Sequence, residues 1–205
     1  MKKIVLAATL LISLFECKVN AQSYPPEIGI KGGLNISNYT GNYYGDKSAK
    51  VGFNIGLTID YQLVPDLYFM SGLEYTTKGT NFKTRNTYEQ YRQNIGYIQI
   101  PIHLGYKYEV APDTRFVIHA GPYMAVATNG SDTGNGYSYD LFNERDTEKE
   151  YQPKRFDAGL GLGAGLEFGK IGFDLSYDFG LTNIYSLGGD NAHTMNASLS
   201  VNYKF

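Results

Sequence analysis

Apolar residues alternate with small or polar ones along eight stretches of this 205-residue chain, and a sustained period of two commits a segment to β-strand. Ile28, Ile30, Leu34 and Ile36 alternate with Gly29, Lys31, Gly33 and Asn35. Val51, Phe53, Ile55, Leu57, Ile59 and Tyr61 oppose Gly52, Asn54, Gly56, Thr58 and Asp60. The pattern returns over 67–75, 98–108, 116–126, 156–168, 171–181 and 195–205, and is cleanest where Leu160, Leu162, Ala164 and Leu166 alternate with Gly159, Gly161, Gly163 and Gly165. No apolar-phase position in these stretches is Asp, Glu, Lys or Arg. A charge facing lipid at mid-membrane costs about 2–4 kcal/mol, and the pattern avoids that cost throughout.

A soluble sandwich would also alternate, turning its apolar faces toward a shared core. Three features point instead to a membrane barrel. The segments are about 10–13 residues long, as a tilted spanning strand requires. Their polar phase is small and rich in Gly, which suits the inside of a narrow barrel. The connections near 62–66, 109–113 and 169–170 are short, whereas those near 38–50, 78–94, 128–154 and 182–193 are long. Beyond residue 22 no apolar run approaches the roughly 20 residues of a spanning helix, so a membrane can be crossed here only by strands closed into a barrel. With 24 Gly, 19 Tyr and no Trp, the composition favours strands and tight turns. A formal net charge of −2 argues against a nucleic-acid partner. The expected fold is all-β: an eight-stranded antiparallel up-and-down transmembrane β-barrel with short periplasmic turns and long external loops. Tyr43, Tyr44, Tyr75, Tyr97, Tyr106, Tyr108 and Tyr203 fall near strand ends, where aromatic girdles belong.

The N-terminus carries an address. Lys2 and Lys3 precede an apolar run from Ile4 to Phe15, and Val19-Asn20-Ala21 offers small residues for signal peptidase, with cleavage between Ala21 and Gln22. Residues 1–21 are therefore expected to be a cleaved signal peptide, 22–26 a short lead and 27–205 the barrel domain. Cys17 is preceded by Glu16, where lipid attachment wants a small residue, and its loss with the signal leaves no cysteine for a disulfide, a thiolate nucleophile or a thiolate metal site.

The segments IGIKGGLNIS (28–37), YIQIPIHLGYKY (97–108), HAGPYMAV (119–126), GLGLGAGLEF (159–168) and YDFGLTNI (177–184) resemble the outer-membrane β-barrel domain family that includes PorT-like, porin-like proteins. The resemblance spans about 27–205 and implies the outer membrane of a Gram-negative bacterium, with no substrate attached. Tyr203 and the final Phe205 are similar to the C-terminal signal read by the barrel-assembly machinery, a partner during biogenesis.

The inward phase gathers Lys31, Lys78, Lys107 and Lys204 with Asp60, Glu74, Asp157, Glu167, Asp174 and Asp178. Eight strands leave room inside for side chains and little else, so these groups are expected to pair into a structural network filling the lumen rather than to line an ion path. His103 and His119 lie in the same phase on adjacent strands. If the turn is symmetric about Ala111 they stand directly opposite, as weak candidates for a metal or a hydrogen-bonded pair, but no third ligand follows from spacing. Gly159, Gly161, Gly163 and Gly165 lack the turn and helix of a nucleotide fingerprint; as inward strand positions they leave room for Lys107, Tyr123 or Asp174. His193 has Ser186 and Asp190 nearby, the residue types of a lipid-modifying enzyme, although such residues meet in loops by chance. The connection 128–154, rich in Gly, Asn and Tyr, reads equally as a mobile loop or a contact surface.

The reading is a non-enzymatic outer-membrane barrel in the lipid bilayer, with no cofactor, whose external loops carry a structural or interaction role. The alternative is an accessory subunit among the proteins of a secretion or envelope-assembly system; a lipid-modifying enzyme and a small-solute channel are further rivals.

Overall fold

The computed structural model describes residues 25–41, 46–83, 90–134, 136–143, 152–185 and 191–205. The expected signal peptide with its Ala21–Gln22 junction lies outside these residues, as do Tyr43, Tyr44, Ser186 and Asp190.

Among the described residues ten strands follow one another: β1 (Glu27–Thr40), β2 (Asp46–Ser48), β3 (Lys50–Val64), β4 (Leu67–Lys83), β5 (Gln90–Ala111), β6 (Thr114–Gly134), β7 (Tyr137–Asp140), β8 (Phe156–Phe168), β9 (Ile171–Gly180) and β10 (His193–Lys204). Eight of them form a closed antiparallel ring in the order β1, β3, β4, β5, β6, β8, β9, β10, which shuts where Gly29–Thr40 of β1 pairs with His193–Lys204 of β10. The short β2 continues β4's outer edge and β7 pairs with the far end of β6. The ring is the eight-stranded up-and-down barrel that the alternation demands. Its apolar phase faces outward: Leu34, Val51, Leu104, Leu162, Leu175 and Leu199 are each more than half exposed, which is the condition of a surface that lipid covers.

Two short turns reuse one device. In Pro65-Asp66 and Pro112-Asp113 the proline supplies the negative φ and the aspartate takes a positive one, 65° and 56°, which Asp tolerates better than most residues. At Gly169-Lys170 the glycine comes first, with φ 57°, as a type II′ hairpin requires.

The external side departs from expectation. The stretches 78–94 and 128–154 were expected as loops, yet β4, β5 and β6 run on to 17, 22 and 21 residues. Spanning needs only about 9–11 residues, so the excess stands outside the membrane as a sheet. Neither face of such a sheet must be apolar, so the hydropathy alternation that marks the spanning part stops where the hydrogen-bonded pairing continues, from Thr76↔Tyr97 to Lys83↔Gln90.

Tyr97 also departs from its expected place in the girdle: it is fully buried. It shares the phase of Gln99 and His103, and phase outweighs height. Tyr106, Tyr108 and Tyr203 do face outward, each about half exposed.

Candidate functional site: the filled lumen and the external sheet

Every charged residue expected inside the barrel points inward, and together they form three tiers. At the periplasmic end Lys107 Nζ lies 2.6 Å from Asp60, 2.9 Å from Glu27 and 3.2 Å from Glu167, while Lys204 Nζ lies 2.5, 2.9 and 2.6 Å from Glu27, Asp60 and Glu167. Arg115 closes the cluster with contacts of 3.1 Å to Glu27 and 2.8 Å to Glu167, and the Lys107 ammonium stands 4.4 Å above the Tyr68 ring. Glu27, Asp60 and Glu167 are close enough to hold a metal ion, but three cations already neutralise the three carboxylates. The sequence reading missed Glu27 and Arg115. Both carry the signal that would have found them: each extends the inward phase of its strand, Glu27 with Lys31 and Arg115 with Val117 and His119.

The middle tier is less crowded. Lys31 pairs with Glu74 at 2.9 Å, and Gln99 donates to Asp178 at 3.0 Å. His119 Nε2 lies 2.8 Å from Asp174, and its Nδ1 faces Nδ1 of His103 at 2.9 Å, the two rings stacked with centroids 5.1 Å apart. The histidines meet, but not by the expected register. His119 is paired with Gly105, because the turn is centred on Pro112-Asp113 rather than on Ala111 and an irregularity between Glu109 and Ala111 then sets the register about residue 112; the two rings bridge that diagonal offset. Each imidazole uses Nδ1 on the other. Two nitrogens and no converging third ligand among the described residues make this a shared-proton pair and a poor metal site. Room for the rings comes from β8. A Cβ on Gly161 would stand 2.8 Å from His103 Nε2 and from Asp178 Oδ1, and one on Gly163 would overlap His119. Gly161 and Gly163 thus accommodate the histidine pair rather than Lys107 or Tyr123, whereas Gly159 and Gly165 face the backbone of β9. Beside it lies a cavity of about 80 Å³ lined by Lys31, Glu74, His103, His119, Asp174 and Asp178, space for a few waters.

The external tier centres on Asp157. Lys78 Nζ lies 3.2 Å from it with both side chains fully buried, and Tyr123, Thr194 and Thr182 each donate a hydroxyl to the carboxylate, at 3.1, 2.9 and 2.7 Å. The Lys78 ammonium sits over the Tyr123 and Tyr97 rings, 4.3 and 5.4 Å from their centres. Above this tier the interior turns apolar: Ile95, Ala127 and Leu141 pack on one side, Tyr39, Ile184 and Ala192 on the other, and Gln93 donates to Tyr185 at 2.6 Å. Among the described residues the lumen is therefore packed with side chains along its length, around the small central cavity.

His193 opens β10, and its Nδ1 lies 3.1 Å from the Thr182 carbonyl. Its expected companions Ser186 and Asp190 lie outside the described residues. Phe205 donates its N–H to Ile28 at 3.0 Å, and its ring meets Tyr203 edge-on at 5.8 Å, both rings facing outward.

A closed eight-stranded barrel with an apolar belt and a polar filled interior, whose first strand begins and last strand ends on the short-turn side, is an integral outer-membrane protein. Residues 20–186 match the family of outer membrane protein beta-barrel domains, and the chain belongs to that family. Among solved structures it is similar to Neisserial surface protein A, at 13% identity and a TM-score of 0.51, over 89% of this chain and 100% of that one. It is likewise similar to the outer membrane protein OprG from Pseudomonas aeruginosa, at 10% identity and a TM-score of 0.50, over 92% of this chain and 99% of that one. At such identities the likeness is one of fold. No curated protein matches the chain.

Proposed function

We propose that this protein is a non-enzymatic barrel whose external sheet, not its lumen, meets other molecules. The observation that carries the reading is a contrast. The interior is consumed by ion pairs and aromatic rings, whereas β4, β5 and β6 continue beyond the spanning length as an ordered sheet, extended by β7 with Tyr137 and Tyr139 exposed and stacked at 6.4 Å. Paired tyrosines on a rigid scaffold suit adaptable recognition. The accessory-subunit role implied by the PorT-like resemblance would use this same surface, with an envelope protein as the partner. Tyr203 and Phe205 fit a separate duty as the outward-facing aromatic end read during barrel assembly.

A mild-detergent pull-down of the tagged protein from native outer membranes tests the reading. Stoichiometric recovery of envelope proteins, lost on substituting Tyr137 and Tyr139 by Ser, supports it. Recovery of the barrel alone, or altered outer-membrane lipids in cells that overproduce it, overturns it.

A further inference from the structure

A cleft of about 360 Å³ opens on the outer face of the external sheet, where Lys50 and Arg92 meet over Thr77, Asn94, Ser131 and Thr133. Its origin lies in the parting of two strands. The pairing of β3 with β4 begins only at Asn54↔Thr76, so residues 50–53 of β3 pair with β1 alone, while β4 beyond Thr76 is met instead by the Ser37 hydroxyl at Gly79 and by β2 from Asn81 to Lys83. Thr77 fills the fork by accepting the Phe53 N–H at 3.0 Å. The stem of Lys50 then lies across Gly79, where an added Cβ would stand 3.2 Å from Lys50 Cδ. Two cross-strand rows form the rest of the wall: Gly79, Asn94 and Ser131 in one, Asn81, Arg92 and Thr133 in the next.

The charge of this cleft is unlike that of the lumen. Inside, Lys31, Lys78, Lys107 and Lys204 each have a carboxylate within 3.2 Å. Among the described residues neither Lys50 nor Arg92 has one. Lys50 Nζ has the Val51 carbonyl at 3.4 Å, and Arg92 Nε has Asn81 Oδ1 at 3.3 Å. Lys50 is 7% exposed, so its ammonium is held in the cleft rather than waving in solvent.

Height identifies the occupant. At the inner rim of the cleft the Phe53 and Tyr75 rings meet at 5.9 Å, tilted to one another, and Tyr75 donates its hydroxyl to Asn129, the arrangement of an aromatic residue at a membrane boundary. Thr77 and Gly79 lie about 7 and 13 Å farther along the strand, and about 5 and 10 Å farther along the membrane normal at the usual tilt. The headgroup layer occupies about 5–8 Å beyond the hydrocarbon on each side. From the hydrocarbon outward, the surface passes from aliphatic to aromatic, then to hydroxyl and amide, then to unpaired cations. We propose that this cleft binds a phosphate group at the external membrane boundary, with the Arg92 guanidinium and Lys50 ammonium taking its charge and Asn94, Ser131 and Thr133 its remaining oxygens. Its expected source is a phosphorylated lipid headgroup of the outer leaflet.

The test compares the folded wild-type barrel with the double variant K50Q/R92Q and with K170Q, which removes a cation from the opposite, periplasmic turn. Binding is measured to phosphatidylcholine vesicles with and without lipid A, and separately to inorganic phosphate; heat-modifiable gel migration confirms that each variant is folded. The expected result is lipid A-dependent binding that weakens roughly tenfold or more in K50Q/R92Q and is unchanged in K170Q. Binding of inorganic phosphate in place of lipid A, with the same loss in the double variant, assigns the site to a free anion and overturns the lipid source alone. No binding of either, or equal weakening in K170Q, overturns the site.

Discussion

Asp157 is the residue on which most other side chains depend. Its carboxylate holds a fully buried lysine and three hydroxyls, from three different strands and the segment after β9. Truncating one partner of a buried ion pair leaves the other charge uncompensated, at a cost of about 3–5 kcal/mol. Asp157→Ala should therefore lower the unfolding free energy by about that amount in denaturant titrations of the folded barrel, whereas replacing Lys78 and Asp157 together by Met and Leu should cost far less. Equal losses in the two variants would show that packing rather than charge pairing dominates the tier. Gly161 makes the complementary case, since its lack of a side chain is what His103 and Asp178 use. Gly161→Val should be destabilising by about 1–3 kcal/mol, from overpacking in a lumen already filled.

At the level of the strand, an exposed position has two meanings depending on how far along the strand it lies. Leu162 is at the centre of β8, faces outward and is 61% exposed; Thr133 is also exposed, but on the part of β6 that stands outside the membrane. Leu162→Arg should cost about 2–4 kcal/mol in bilayer refolding experiments, and Thr133→Arg close to nothing. A similar cost at both positions would place the outer half of β6 inside the hydrocarbon. The alternation located all eight spanning strands because lipid on one face and lumen on the other force a period of two. It located the external extensions poorly, since Thr76–Lys83 and Gln90–Gly96 are held by backbone pairing, with single apolar residues such as Phe82 and Ile95 in place of a sustained alternation.

For the molecule as a whole, closure is the decisive property. A barrel without free edges keeps its structure in detergent unless heated, so unboiled protein should migrate differently from boiled protein in detergent gels. Because three tiers of paired side chains fill the interior, purified folded protein in a planar bilayer should give no steady single-channel current. Stable conductance steps would mean that the tiers part under voltage and would reinstate the channel reading.

The order of residues alone determined the alternation, and with it the fold class, the membrane-facing surface and the inward set of Lys31, Asp60, Glu74, Lys78, Lys107, Asp157, Glu167, Asp174, Asp178 and Lys204, because side-chain direction in a strand follows from counting by two. Which of these groups touch was decided only in three dimensions. Lys107 and Lys204 share the same three carboxylates from opposite sides of the lumen, and His103 reaches His119 across a register set by a turn irregularity. The cleft of Lys50 and Arg92 was hidden for the same reason. It arises where β3 parts from β4, and local periodicity carries no record of where two paired strands separate.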